Sequence, residues 1–364
     1  MSGSEAMSAV PDVRVADVAD VAPADWNARV VDAPGGSVHQ GTAWAAHRVA
    51  QGWLPRYVSF DDGRSALVLT DRKPVLGVTA YCPRGPIASG DGPAATAARV
   101  IALTRWLRDE GATSIAVDPV LDASPVYDHA IEAIGFREVE EVMATRHRLE
   151  LDLPAQGDVE AALRACTKTA RQRIRGASAA GTTVAPSGDE ADLVRMLEML
   201  GITAERKDFG IGSHDALMAW WHRVMEAGQA KFLVARNAGA VVGGLILYRQ
   251  GGHWATAYSA DDPATRATLH GTMHLVRWTA IEASVMAGDP LIDLGGVDAP
   301  GFRREPIQGD PMFGLYEHKR SFGARWVPSA AAHELLLQPV RHRAGRLAGR
   351  AVTRARQGLR SVRR

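Results

Sequence analysis

The hydrophobic pattern divides the chain into two successive stretches of strands and helices. In the first stretch, Arg56–Phe60 and Ser65–Thr70 alternate around Asp61-Asp62-Gly63, which predicts a β-hairpin. Ala94–Glu110 carries apolar residues at helical spacing, and Ser114–Val117 is predicted to be a buried strand. Together these elements predict a mixed α/β (α+β) unit with a largely antiparallel sheet.

A second stretch repeats this order in outline. Four helices are predicted first, over Val159–Cys166, Lys168–Ala180, Asp189–Ala204 and His214–Ala227. Three strands follow between residues 231 and 258, then a long helix over Thr268–Ala287 and a strand at Leu291–Leu294. No repeat of individual residues accompanies this order, so a tandem duplication is a topological inference.

The length of 364 residues also favours two domains over a single core. The expected organisation is a disordered start at 1–12, a first domain over 13–152 to which 326–340 returns, a second domain over 153–325, and a tail over 341–364.

Composition places the chain among soluble globular proteins, with 46% hydrophobic and 23% charged residues. Cys82 and Cys166 are far apart and fit no metal or redox spacing, which favours a reducing compartment. No stretch approaches the roughly 20 apolar residues of a membrane span, and the first residues lack the layout of a signal peptide. We therefore expect a cytoplasmic protein.

Positive charge is concentrated in the tail. Residues 341–364 contain arginines throughout and no acid, although the net charge of the whole chain is only +1. From Leu347 onward, small apolar residues recur at helical spacing and predict an amphipathic helix with an arginine-rich face. An anionic membrane and nucleic acid would both bind such a helix, and we favour the membrane surface.

One stretch near the C-terminal end combines an acid, a glycine turn and a lysine. Asp293 lies in a predicted strand that ends at Gly295-Gly296, and Lys319 lies in a short predicted helix that stops at Gly323. Asp293 could simply cap a turn and Lys319 could be a solvated cation. The alternative is that they belong to a site.

Three cations share one face of the next candidate element. Lys168, Arg171 and Arg175 recur at i, i+3 and i+7 on a predicted helix and could together bind a diphosphate or phosphodiester. Solvated helix charge is the alternative, but no acid follows before Asp189 to explain the cations as salt pairs.

Other candidates are single contacts. Trp44 and Arg48, at i and i+4, could stack a base or simply pack against each other. Asp118, before Pro119 at a strand end, could form a turn or meet a ligand at the carboxyl edge of the sheet. Tyr258 ends a strand, at the edge of the core or in contact with a ligand.

The order of elements resembles the GNAT acyltransferase fold in both stretches. In that fold, residues 266–272 occupy the place of the pyrophosphate loop of acetyl-CoA enzymes, but they contain one glycine only, which argues against CoA. The common phosphate-loop, dinucleotide, zinc-protease and nucleophile-elbow motifs are absent from the sequence, and the histidines lack metal-ligand spacing. No metal or cofactor is expected.

The motifs in order resemble the Fem (FemABX) family of non-ribosomal peptidyltransferases. The similarity covers about Gly41 to Pro339 and rests on Trp44-xxx-Arg48-xxx-Gly52, Pro83-Arg84-Gly85-Pro86, Asp118-Pro119, Lys168-xx-Arg171-xx-Ile174-xx-Ala177-xxx-Gly181, Asp293-x-Gly295-Gly296 and Lys319-xx-Phe322-Gly323. The family usually has lysine where Arg48 stands, and the helical arm of some members is absent, so no coiled-coil arm is expected.

The resemblance implies a tandem GNAT-like architecture that transfers an amino acid from aminoacyl-tRNA to the stem peptide of a lipid-linked or UDP-linked muramyl-peptide precursor. It implies that Arg48 and Arg171 grip the diphosphate of this acceptor, that Tyr258 lines the groove, and that Lys319 lies near the reacting ester. Asp118 would orient or deprotonate the attacking amine. The expected location is peripheral to the inner face of the plasma membrane.

Two rivals to this function remain open. The GNAT fold hosts many chemistries, so an N-acyltransferase that uses acyl-CoA or another acyl donor is the first. A non-catalytic, basic-tailed protein that binds membrane or nucleic acid is the second.

Overall fold

A computed structural model of the protein describes residues 10–73, 77–88, 90–142, 146–207, 210–299 and 302–341. The described residues form two compact units, one of 10–142 with 329–341 and one of 146–328. Each unit is built on one seven-stranded mixed sheet. The predicted fold class, two mixed α/β domains with largely antiparallel sheets, is therefore confirmed.

The first unit contains strands β1 to β6, helices α1 to α3 and the last strand of the chain. Their bounds are β1 Val15–Ala19, α1 Thr42–Val49, β2 Leu54–Phe60, β3 Ser65–Lys73, β4 Gly77–Cys82, α2 Pro93–Asp109, β5 Ala112–Val117, α3 Pro125–Glu132, β6 Arg137–Val139 and β14 Ala332–Leu336. A π-helical turn at Ala28–Asp32 and a 3-10 turn at Val38–Gln40 precede α1.

The sheet of the first unit has the order β1-β2-β3-β4-β5-β14-β6, in which only β4 and β5 are parallel. The predicted hairpin forms as β2 and β3, and Gly63 adopts a φ of +80° in its turn, a conformation that glycine tolerates best. Apolar residues on the inner face of α2, among them Val100 and Leu103, pack with Val58 and Ile115 from the sheet.

The second unit contains strands β7 to β13 and helices α4 to α9. Their bounds are β7 Arg148–Asp152, α4 Val159–Ala165, α5 Lys168–Ala179, β8 Thr183–Pro186, α6 Glu190–Lys207, α7 His214–Glu226, β9 Ala230–Asn237, β10 Ala240–Gln250, β11 His253–Asp261, α8 Thr272–Ala287, β12 Leu291–Asp293, α9 Phe313–Arg320 and β13 Arg325–Val327.

The sheet of the second unit has the order β13-β7-β12-β11-β10-β9-β8, in which only β11 and β12 are parallel. Their ladder joins just two residue pairs, Trp254 with Ile292 and Ala255 with Asp293. The carboxyl-terminal half of β11 is therefore not paired with β12, and the side chains of the candidate site lie beside this part of the sheet. Helices α4, α5 and α8 contribute residues such as Ile174 and Val276 to the core.

The boundary between the units differs from the predicted one. The predicted first domain runs to residue 152, but β7 pairs with β12 and β13 in the sheet of the second unit. Sequence spacing alone could not show this, because a strand's partner is chosen by long-range pairing. The segment β14 lies between β5 and β6 in the first unit, with His333 opposite Val117.

Two further predictions concern the helical arm and the amphipathic tail. Helix α6 ends at Lys207 and α7 begins at His214, which leaves no room for a long helical arm between them. The predicted amphipathic tail falls on residues 342–364, outside the described residues. In the part of the chain that the structure describes, no helix has both the length and the apolar character needed to cross a bilayer.

Candidate active site

Lys319 is buried, which excludes the interpretation of it as a solvated cation. Helix α9 places its side chain against the glycine turn after β12, and only 4% of the residue is exposed. Its Nζ donates hydrogen bonds to the carbonyl oxygens of Gly295, at 2.9 Å, and Gly296, at 2.8 Å. Burial and the nearby Arg277 guanidinium lower the pKa of Lys319 to about 7.

The glycine turn depends on Gly295. This residue has a φ of +78°, and a Cβ atom there would lie 2.7 Å from the carbonyl oxygen of Thr256 on β11. Asp293 Oδ1 accepts a hydrogen bond from the Gly295 backbone N–H at 2.7 Å. Asp293 therefore caps the turn and acts as scaffold, while the turn offers its carbonyl groups to Lys319.

A second buried cation contacts His318, the residue that precedes Lys319. Arg277 on α8 is 3% exposed, and its Nη2 donates to Ser259 Oγ at 3.0 Å. Its Nη1 lies 2.8 Å from His318 Nε2, which must accept because a guanidinium has only donors. Burial, followed by the charge of Arg277, lowers the pKa of His318 far below its usual range, so this histidine is neutral.

The sequence reasoning missed Arg277, Ser259 and His318. A signal for Arg277 exists in the sequence, because it shares the apolar face of α8 with Ala280, Ile281 and Ser284 at i+3, i+4 and i+7. An arginine on the buried stripe of a helix needs a partner or a function. Ser259 and His318 carry no comparable signal, since only the tertiary fold brings them to the guanidinium.

The cations of α5 do not act as one set. Arg171 is half-buried and its Nη1 donates to the carbonyl oxygens of Arg164, at 3.2 Å, and Cys166, so it caps the end of α4. Lys168 and Arg175 are exposed and have no ion-pair partner among the described residues. The backbone N–H of Thr167 donates to Ser321 at 2.8 Å, which joins the start of α5 to the end of α9.

Tyr258 lies in an aromatic cluster. Its ring packs edge-on against Trp221 of α7, with centroids 5.6 Å apart, and against Tyr248 of β10 at 6.3 Å. Burial raises the pKa of Tyr258. Its neighbour Ser259 contacts Arg277, and successive side chains of a strand point to opposite faces of the sheet. Tyr258 therefore lies on the face opposite to the Arg277 cluster.

In the first unit, Trp44 and Arg48 pack against each other. The Arg48 guanidinium lies 5.5 Å from the centre of the Trp44 ring and 4.8 Å from that of Trp53, and its Nη1 donates to Gln51 Oε1 at 2.6 Å. His39 meets the Trp44 ring edge-on at 4.8 Å. Burial lowers the pKa of Arg48. Trp44 itself is only 8% exposed, as the packing interpretation requires.

Asp118 is buried at the end of β5 and holds the preceding loop. Its Oδ2 accepts from the Tyr81 hydroxyl at 2.9 Å, and its Oδ1 accepts from the Arg84 backbone N–H at 2.6 Å. Burial raises the pKa of Asp118 to about 6, although Arg84 opposes the shift. Both oxygens are thus used within the first unit, in contacts that position Pro83-Arg84-Gly85-Pro86.

The cysteines and the possible metal ligands among the described residues are weaker candidates for a catalytic role. Cys82 and Cys166 are buried, and burial raises the pKa of both thiols, which disfavours the nucleophilic thiolate. In the described ranges, no group of three or more His, Cys, Asp or Glu side chains could hold a metal ion. The chemistry of the second unit therefore centres on Lys319 and its neighbours.

Comparisons with known proteins bear on the fold that carries this site. Residues 164–320 match the family model described as acetyltransferase (GNAT) domain. The crystal structure of FemX superposes with a TM-score of 0.73 at 18% identity, over 89% of this chain and 98% of FemX. A conserved protein of unknown function from Bacteroides thetaiotaomicron has a TM-score of 0.50 at 14% identity, over 88% and 98%. The comparison with curated proteins found no match.

At these identities the superpositions establish the fold, and the GNAT match covers the segment that contains α5, α8 and Lys319. The predicted resemblance is confirmed at the level of the fold: the chain has a FemABX-like fold, and residues 164–320 match an acetyltransferase (GNAT) domain.

Proposed function

We propose that the protein transfers an amino acid from aminoacyl-tRNA to an amine of the stem peptide of a peptidoglycan precursor. One observation carries the proposal: a buried lysine, held by two carbonyl groups, lies in a unit whose fold resembles that of FemX. A buried cation suits acyl transfer to an amine, because the attack on an ester carbonyl develops a negative oxygen that a fixed donor stabilises.

In the proposed mechanism, Lys319 stabilises the tetrahedral oxyanion. Two Nζ hydrogens are fixed by Gly295 and Gly296, and the third is available to the oxyanion when the lysine is an ammonium. A fixed donor of this kind contributes roughly 2.7–4 kcal/mol to the transition state. The reaction needs no covalent enzyme intermediate and no metal or cofactor, with aminoacyl-tRNA as co-substrate.

The acceptor is proposed to be a lipid-linked or UDP-linked muramyl peptide, whose diphosphate is bound by cations. Arg48, half-buried against the Trp44 ring, is the proposed contact in the first unit. Lys168 and Arg175 offer exposed charge on α5, where Arg171 fixes the start of the helix. Tyr258 and Asp118 stay predictions as a groove residue and a catalytic carboxylate.

The location is proposed to be cytoplasmic, at the inner face of the plasma membrane. The support is compositional: nine arginines and no acid from 341 to 364. Deleting residues after Val340 should release the protein from vesicles that contain phosphatidylglycerol, and should leave its binding to neutral vesicles unchanged. Equal binding to anionic vesicles with and without the tail would contradict the membrane role.

A second candidate is N-acyl transfer from acyl-CoA, which the GNAT family match favours. The start of α8, where GNAT enzymes bind pyrophosphate, argues against it in this chain. Gly271 has a φ of +91°, and a Cβ there would lie 2.3 Å from the backbone carbonyl oxygen of Arg173 on α5. Helix α5 thus packs directly on one side of this loop.

The two candidates are separated by incubating the full chain with charged tRNA and a nucleotide-linked or lipid-linked pentapeptide. Transfer of a radiolabelled amino acid to the peptide that ribonuclease abolishes is the expected result. Turnover of acyl-CoA without tRNA would replace the proposal with the second candidate. No turnover of either donor would favour a binding protein.

A further inference from the structure

Arg277 is a buried guanidinium that forms no ion pair within the described residues, although the charge of Asp261, itself bonded to Arg266, acts on it. Arg99 of the first unit is buried to the same degree, but it donates to Asp62, to Asp91 and to the carbonyl oxygen of Ile87. Arg277 donates only to a serine and a neutral histidine, its Nε–H has no acceptor, and no carboxylate of the described residues pairs with it. A buried charge normally needs such a pair.

The contacts of Lys319 are compatible with two protonation states. A neutral amine has two hydrogens and an ammonium has three, so the bonds to Gly295 and Gly296 persist in either state. Only the third position changes, from a proton to a lone pair. The geometry therefore keeps Nζ in place while the amine gains or loses its third proton.

Charged and titratable groups face Lys319 from several elements. Arg277 on α8 opposes the ammonium, whereas Asp293 on β12 and Asp298 in the next loop favour it. His318, on its own helix, is neutral and is also approached by Arg173 of α5 and His274 of α8. Both aspartates accept hydrogen bonds from backbone N–H groups. Asp293 accepts from Gly295, and Asp298 accepts from Arg146 and His147.

We propose that Arg277 is a positioning residue of the transfer site, which acts through Lys319 by making its third proton mobile. The inference rests on the proposed function. As the tetrahedral intermediate collapses, the bond from carbonyl carbon to ribose oxygen breaks, and its electron pair goes to that oxygen. The oxygen takes the third proton of Lys319. The lysine recovers a proton from the attacking nitrogen, which loses it on becoming an amide.

The test is the pH profile of transfer in variants of Arg277. Wild-type kcat should fall as pH rises through about 7, because the ammonium is lost. Arg277→Gln keeps donors for Ser259 and His318 but removes the charge. The alkaline limb of its pH profile, where kcat falls, should therefore lie about one pH unit higher, and the maximal kcat should be lower. Arg277→Lys restores a charge and should return the limb to its wild-type position.

Two further variants keep the proposal falsifiable. Arg236→Gln removes a guanidinium that pairs with Asp192 in the same unit, and should leave the limb where it is. Ser259→Ala removes one anchor of Arg277 and no charge, so it should shift the limb upward by a smaller amount. If Arg277→Gln does not fold, an unshifted limb in Ser259→Ala overturns the proposal.

A measurement without substrate separates this inference from the proposed function. In protein labelled with ¹³C at lysine Cε, the Lys319 resonance, assigned by its loss in Lys319→Met, should titrate near neutral pH. In Arg277→Gln it should titrate higher. An unchanged titration overturns the role of Arg277 whatever the donor is, whereas failure of tRNA-dependent transfer with the titration shift intact overturns only the proposed function.

Discussion

Asp118 in the first unit and Lys319 in the second are both buried against a loop that follows a strand, and the two groups are held in different ways. Asp118 uses both oxygens within its unit, and the charge with the largest effect on its pKa, Arg84, is of opposite sign. Lys319 uses two of three possible hydrogens, and the charge with the largest effect on its pKa, Arg277, is of the same sign. A like charge raises the free energy needed to keep Lys319 protonated. A purely structural contact would avoid such a neighbour.

The difference suggests a structural role for Asp118 and a chemical role for Lys319. A saturated carboxylate beside an opposite charge fixes the backbone, whereas an unsaturated cation beside a like charge can exchange a proton or meet an anion. Four predictions test this contrast, from the largest expected effect to the smallest.

Lys319→Met should produce the largest loss of activity. Removing one oxyanion donor typically lowers kcat by roughly 10²–10³-fold. Single-turnover transfer measures the effect, and the far-ultraviolet circular dichroism spectrum checks the fold. Lys231→Met is the control, because Lys231 is an exposed cation that stacks on Trp254 at 4.1 Å. A wild-type rate of transfer in Lys319→Met would contradict a chemical role for Lys319.

Gly295→Ala should reduce both transfer and stability. Its Cβ would meet the Thr256 carbonyl oxygen at 2.7 Å and displace the turn that holds Lys319. We expect a stability loss of about 1–3 kcal/mol from the strained backbone, measured by urea unfolding. Gly239→Ala is a matched control, since Gly239 also has a φ near +80° but no atom within 4 Å of an added Cβ. Equal effects in the two variants would show that strain alone is responsible.

Asp118→Asn should act mainly on the stability of the first unit. An amide cannot accept from both the Tyr81 hydroxyl and the Arg84 N–H with one oxygen, so about 1–3 kcal/mol of stability should be lost, most of it below pH about 6. A fall in kcat without a change in stability would instead support the catalytic role predicted from sequence.

The pH dependence of this variant follows from the raised pKa of Asp118. Because that pKa is about 6 in the folded state and 3.8 in the reference state, the folded chain binds more protons between these values. The contribution of Asp118 is present below pH 3.8 and is lost as pH rises through about 6. The difference in free energy of unfolding between wild type and Asp118→Asn, measured with urea at several pH values, should therefore decrease as pH rises. A difference that does not change with pH would contradict this prediction.

Substitutions on α5 should have the smallest effects and should differ from each other. Arg171→Ala removes the bonds to the carbonyl oxygens of Arg164 and Cys166, so it should lower stability by about 1 kcal/mol as well as acceptor binding. Arg175→Ala should raise KM for the acceptor several-fold and leave stability unchanged. Unchanged KM in both variants would place α5 outside the acceptor site.

The sequence determined the local elements and much of the fold. Alternation and the Asp61-Asp62-Gly63 turn predicted the hairpin of β2 and β3, and helical spacing predicted α2 and the helices of the second unit. These features depend on side chains that are near in sequence, which is why a pattern can show them. The order of motifs also predicted the FemABX-like fold that the comparison with FemX confirms.

Only the tertiary structure decided strand partners and the neighbours of each site residue. The position of β7 in the second sheet, the burial of Lys319 and the carbonyl bonds of Arg171 all depend on segments far apart in the chain. Charge on a residue is visible in sequence, but the sign of the charge that the fold brings beside it is not. That sign, like at Lys319 and opposite at Asp118, distinguishes the two sites.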